Sequence, residues 1–127
     1  MQRHAVSLAE TMDCPDIMFA VSTFLEDFIH NSDDTQRQKL IADEPQNGNG
    51  VAHDRHLCLL AAIAHRLSNI YRLPCPRWVN DPRYTMPHPL YAHDTENEEY
   101  RRYLEATTPP EFFIRNIFYG ENVCERV

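Results

Sequence analysis

The chain has 127 residues, 43% hydrophobic and 24% charged, a balance that permits one compact domain and excludes wholesale disorder. Its 19 acidic against 12 basic residues give a formal net charge of -7, which argues against a primary nucleic-acid role because DNA affinity comes mainly from neutralising phosphates. An acidic surface favours a basic partner, and it also maintains solubility.

Met1–Glu10 has no basic segment followed by an apolar run, and no stretch of about 18 apolar residues occurs anywhere, so the expected location is the cytoplasm and no membrane partner is expected. Cys14, Cys58, Cys75 and Cys124 form no Cys-x-x-Cys pair and are expected as reduced thiols.

In chain order, Pro15 to His30 places Ile17, Ala20, Val21, Phe24, Leu25 and Phe28 at three- and four-residue steps, which predicts an amphipathic helix. Asn31-Ser32-Asp33-Asp34 ends it and offers short polar caps for a second helix over Thr35 to Asp43, anchored by Leu40 and Ile41. Glu44 to Gly50 holds a proline and two glycines in a polar run, the best candidate for a mobile loop. Val51 to Arg72 carries Leu57, Leu60, Ala61, Ala64, Leu67 and Tyr71 on one face, with Leu59, Ile63 and Ile70 widening it. A helix apolar over so much of its circumference is expected at the centre of the fold.

Pro74, Pro76, Pro82, Pro87 and Pro89 then exclude a long helix and favour extended backbone. This arm, residues 73–91, carries Trp78, Val79, Tyr84, Met86, Leu90 and Tyr91, too apolar to stay in water, so it docks on the core or on a partner. A further helix is expected over Thr95 to Ala106 through Tyr100, Tyr103 and Leu104. Thr108-Pro109-Pro110-Glu111 reads as a helix start, with Phe112, Phe113, Ile117 and Phe118 making the last helix strongly apolar. The expected fold is all-α over residues 1–127: a compact bundle of about five helices, the proline-rich arm packed between the fourth and fifth.

His53, Asp54, His56 and Cys58 come closest to a metal cluster, since zinc takes imidazole, carboxylate and thiolate. His56 and Cys58 sit two apart, however, and point to different sides of a helix, so the preferred reading is a polar helix start before a buried cysteine. His88, His93 and Asp94, with His65, permit an acid-base sketch, but no nucleophile elbow, phosphate-binding glycine loop or His-Glu-x-x-His motif accompanies them. Neither a catalytic residue nor a cofactor is expected. The acids Asp94, Glu96, Glu98 and Glu99 suit the first turn of a helix through its dipole. Arg77, Arg83 and Arg115 stand among aromatic residues, where a guanidinium can stack, pin the arm internally or hold a partner's carboxylate.

Ala42-Asp43-Glu44-Pro45, Ala61-Ala62-Ile63-Ala64, Pro76-Arg77-Trp78 and the run from Thr108-Pro109-Pro110-Glu111-Phe112 to Arg115-Asn116-Ile117-Phe118 together resemble a group of small uncharacterised bacterial proteins, in order and spacing over residues 17–120. That group is antitoxin-like, often encoded beside a nucleotidyltransferase-like protein. This chain departs from its pattern at Phe113 and Ile114, where the group carries arginines, and at His65, where it commonly carries an acid. The resemblance implies a partner and no catalytic residue.

The function expected is binding and restraint of a partner protein, as by the antitoxin of a two-gene toxin-antitoxin or phage-defence module. Arg77, Trp78, Arg83, Tyr84, Phe112, Arg115 and Phe118 are the expected contact residues, because aromatics and arginines carry most binding energy at interfaces. Core packing for Trp78, Phe112 and Phe118, with Arg115 bonded to carbonyls of the arm, is the competing expectation for the same residues. A transcriptional or nucleic-acid adaptor and a small histidine-dependent enzyme or metal-binding protein are the alternatives. A homo-oligomer seam on an exposed helix face is a further possibility.

Overall fold

The computed structural model describes residues 7–13, 17–31, 33–45 and 55–121; His53, Asp54, Cys14, Cys124 and most of the expected loop at Gly48 lie outside them. The chain is mostly helical: α1 (Ile17–Ile29), α2 (Asp34–Ala42), α3 (Arg55–Tyr71), α4 (Glu98–Thr107) and a single turn, α5 (Pro110–Phe113). Two short strands, β1 (Leu90–Tyr91) and β2 (Ile117–Phe118), pair in parallel with Leu90 opposite Ile117 and Tyr91 opposite Phe118.

The helices form where the apolar spacing places them. On α1 the buried stripe is Ala20, Val21, Phe24, Leu25 and Phe28. The Asp33 side chain caps α2 by accepting from the Thr35 N–H at 2.9 Å, one of the donors that a helix start leaves without a partner. Arg37 of α2 then serves the other end of α1: it donates to the Phe28 and Ile29 carbonyls and lies over the Tyr71 ring at 4.5 Å. A cation at a helix C-terminus satisfies the last carbonyls and complements the dipole. One arginine thus ties α1, α2 and α3 together.

α3 is the central helix, with Leu57 through Ala64 continuously buried, then Leu67 and Ser68. Burying each such Leu, Ile or Phe side chain is worth about 1.5–3 kcal/mol, so the shared α1–α3 core is the main source of stability. Burial stops at Ser68, where the chain turns away through Arg72 in the left-handed region (φ 56°), and Ile70, expected on the buried face, is exposed.

Two features differ from the expected layout. The last helix stops after one turn instead of continuing through Phe118, because Asn116 takes a left-handed conformation (φ 61°) and its carbonyl accepts from the Leu90 N–H at 2.8 Å. That bond redirects Ile117–Phe118 into the strand pair. α4 starts at Glu98, after the Asn97 side chain caps it by accepting from the Tyr100 N–H, and Thr95 to Asn97 lead into it. The arm joins α3 to α4 through 3-10 turns at Arg77–Asn80 and Pro82–Tyr84, and it packs on α2, α3 and the segment after α5. A second small core of Ala92, Leu104 and Phe118 sits beside the strands, closed by Gly120, whose N–H donates to the Thr108 hydroxyl.

Candidate functional site

The expected contact residues divide into those turned inward and those left at the surface. Trp78 is half-buried, its indole N–H donating to the Ile41 carbonyl at 3.2 Å and its ring meeting Tyr84 edge-on at 5.9 Å. Tyr84 is buried and donates its hydroxyl to Glu44; burial first, then that bond, raises its pKa far above the ordinary phenol value. Arg83 is exposed and bridges Asp81 at 2.9 Å and Glu44 at 3.2 Å, with its guanidinium over the Tyr84 ring. Asp81 also accepts from the Arg83 backbone N–H, the leading reason its carboxyl is held below the usual range. Arg77 is exposed. Trp78, Arg83 and Tyr84 therefore form a latch that fastens the arm to the end of α2, whereas Phe112 and Phe118 lie in the two cores.

Arg115 is buried to 5% exposure. It donates to the Val79 carbonyl of the arm at 2.7 Å, to the Glu111 carbonyl at 2.7 Å and to His65 Nδ1 of α3 at 3.1 Å. An arginine can only donate, so His65 is neutral there, with its proton on Nε2. Burial, and then the charge of Arg115, depress the His65 pKa, with Glu111 opposing. The Glu111 carboxylate turns the other way, to Asn69 at 2.7 Å and Arg66 at 3.5 Å. Its burial would raise its pKa, but those partners prevail and the carboxyl stays below the ordinary value. Arg115 thus joins the arm, α3 and α5, and among the described residues no carboxylate lies within ion-pairing distance of it.

The apolar surface beside this node belongs to Phe113 and Ile114, which were not among the expected contact residues. Phe113 is 51% exposed and Ile114 59%. Phe113 meets the Phe118 ring edge-on at 5.3 Å, and Phe118 in turn stacks on Tyr91 at 5.2 Å. Ile114 stands at a cleft of about 150 Å³ whose other walls are Val79, Asn80, Asp81, Pro82, Thr85 and Arg115. A single helical turn buries one face, and with Phe112 and Arg115 inward, Phe113 and Ile114 are left outward. The usable signal in the sequence was the three-residue apolar run Phe112-Phe113-Ile114 before Arg115-Asn116, too dense for one stripe. An exposed aromatic pair, Tyr100 and Tyr103, stacks on the outer face of α4.

The histidines are only partly brought together. His56 and His93 line one cavity of about 140 Å³ with Arg55, Leu59, Asp94 and Tyr119, and His88 does not reach it. Arg55 and Asp94 face each other there at 3.8 Å. His93 and Asp94 are both left-handed (φ 58° and 52°), a sparsely populated region for residues with a Cβ. His65 is occupied by Arg115. Among the described residues, no three His, Cys, Asp or Glu side chains are placed to hold a metal ion. Cys58 is buried and Cys75 exposed. No helix among the described residues is long and apolar enough to cross a membrane. No protein-family model, curated protein or solved structure matches the chain.

Proposed function

We propose that this chain is a non-catalytic protein that binds and restrains a partner protein, as the antitoxin of a two-gene toxin-antitoxin or phage-defence module does. The observation that carries the reading is the adjacent exposed pair Phe113 and Ile114, the second of which lines a cleft together with a buried arginine. Large apolar side chains around a pocket with a convergent polar group are what protein hot spots use. The contact surface in this reading moves from the inward Trp78, Phe112, Arg115 and Phe118 to their outward neighbours. The net charge of -7 supports a partner that is basic overall. The arginines Arg37, Arg66, Arg83, Arg101 and Arg115 are bonded within the chain, which favours a protein partner over nucleic acid as the ligand.

The test is affinity capture of the tagged chain from its native genomic context, followed by reconstitution with the purified protein encoded beside it. A stoichiometric basic partner whose affinity falls at least about a hundredfold with Phe113→Ser/Ile114→Ser supports the proposal. A folded double variant that binds as tightly as wild type, or a wild-type chain recovered alone, refutes it. The His56–His93 cavity favours a second reading, a histidine-dependent small-ligand site. That reading requires a saturable ligand response of the His56 and His93 ring signals.

A further inference from the structure

The guanidinium of Arg115 is an unusual element of this fold. It is almost completely buried, yet its partners are two carbonyls and a neutral imidazole. A buried charge is normally matched by an opposite one, because leaving it unmatched is costly. An arginine carries five N–H groups, and three of those on Arg115 are taken by Val79, Glu111 and His65. The Nε–H and the second Nη2 hydrogen have no acceptor among the described residues. Arg115 is itself one of the walls of the cleft under Ile114.

The other charges around that cleft are already matched. Asp81, which lines it, is held by the backbone N–H and Nε of Arg83. Arg83 also reaches Glu44, and Glu111 faces Asn69 and Arg66. Arg115 is therefore the cation left over where the cleft meets the core.

We propose that the cleft receives the carboxylate of an Asp or Glu side chain of the partner protein on the open N–H edge of Arg115, with an apolar neighbour of that residue packing on Phe113 and Ile114. The inference rests on the partner-binding reading and names the chemistry of that partner's docking residue. Charge complementarity selects the acid, since guanidinium and carboxylate form the strongest of the paired hydrogen bonds available to side chains. The size of the cleft, about 150 Å³, suits a side-chain carboxylate with its methylenes. The long-range field of an acidic chain still steers a basic partner, and this one acid supplies register.

The experiment uses the whole chain and defined peptides. Backbone amide and Arg115 Nε–H signals are followed by NMR during titration with N-acetyl-Leu-Glu-Leu-amide. N-acetyl-Leu-Gln-Leu-amide serves as the neutral isostere, and N-acetyl-Leu-Gln-Leu with a free carboxyl terminus as the second source of a carboxylate. The expected result is a saturable shift at Asn80, Ile114 and the Arg115 Nε–H with the Glu peptide, and affinity roughly tenfold or more weaker for both controls. Ile114→Glu, a change at an exposed position, places a competing carboxylate at the mouth and abolishes the shift. Equal response to Glu and Gln, preference for the free terminus, no saturable shift, or undiminished binding by Ile114→Glu overturns the inference. A captured partner together with a cleft indifferent to the Glu peptide leaves partner binding standing and removes this docking chemistry alone.

Discussion

Phe112 and Phe113 are chain neighbours in opposite surroundings, fully buried against 51% exposed, and truncating each in turn tests the assignment of surface and core around α5. Phe112→Ala removes a side chain enclosed by the main core. Transfer and cavity terms together make that cost about 3–5 kcal/mol, a large part of the roughly 5–15 kcal/mol that stabilises a domain. Phe113→Ala loses about half of a phenylalanine's burial, near 1 kcal/mol, plus part of an edge contact with Phe118 worth about 0.5–1.5 kcal/mol. Urea unfolding resolves the two: with a slope of about 2 kcal/mol per molar, the midpoint falls by about 2 M for Phe112→Ala and by under about 1 M for Phe113→Ala. Trp78 is the only tryptophan, so its fluorescence reports the arm while circular dichroism reports the helices. Coincident curves establish that both unfold together. Equal midpoint shifts for the two variants would refute the placement of Phe113 at the surface, and with it the site proposed above.

Trp78→Phe keeps a ring against Tyr84 but loses the bond to the Ile41 carbonyl, with an expected cost of about 1 kcal/mol in the same assay. Arg115→Met leaves the Val79 and Glu111 carbonyls without their donor; about 3 kcal/mol of stability is lost, and amide exchange accelerates first over the arm from Trp78 to Met86. The pH dependence follows from two depressed groups. His65, held below its ordinary value near 6.5 by burial and by Arg115, contributes stability that is fully present above that pH and is lost as pH falls toward the folded value. Glu111, also depressed, contributes stability present above its ordinary value near 4.5 and lost as pH falls through the folded one. Stability measured against pH therefore declines in two stages on acidification, and His65→Gln removes the first; an unchanged upper stage in that variant counts against the neutral His65–Arg115 bond. Gly120 sits at φ +87° with Leu104 Cδ2 3.4 Å from where a Cβ would be, so Gly120→Ala costs about 1–2 kcal/mol through backbone strain, read as a lower melting temperature.

The helices α1, α2 and α3 were legible in the chain because their determinants are local. Apolar spacing marks the buried faces, Asp33 marks a start, and the unbroken run from Leu57 to Ala64 marks the centre. The same reading singled out Trp78, Tyr84 and Arg115 as residues with something to hold, but whether they hold the chain itself or another molecule depends on partners far away in sequence. Arg115 meets Val79 across 36 positions and His65 across 50, and Trp78 meets Ile41 across 37. Nothing in the spacing of Phe112, Phe113 and Ile114 says which of them faces α3, since a single helical turn is too short to define a period. The sequence alone determined which segments become amphipathic helices, because each segment carries its own hydrophobic pattern. Only the tertiary structure decided which aromatic and arginine side chains remain available at the surface, because that follows from the bond between Asn116 and Leu90 that ends α5 and turns the chain into the strand pair.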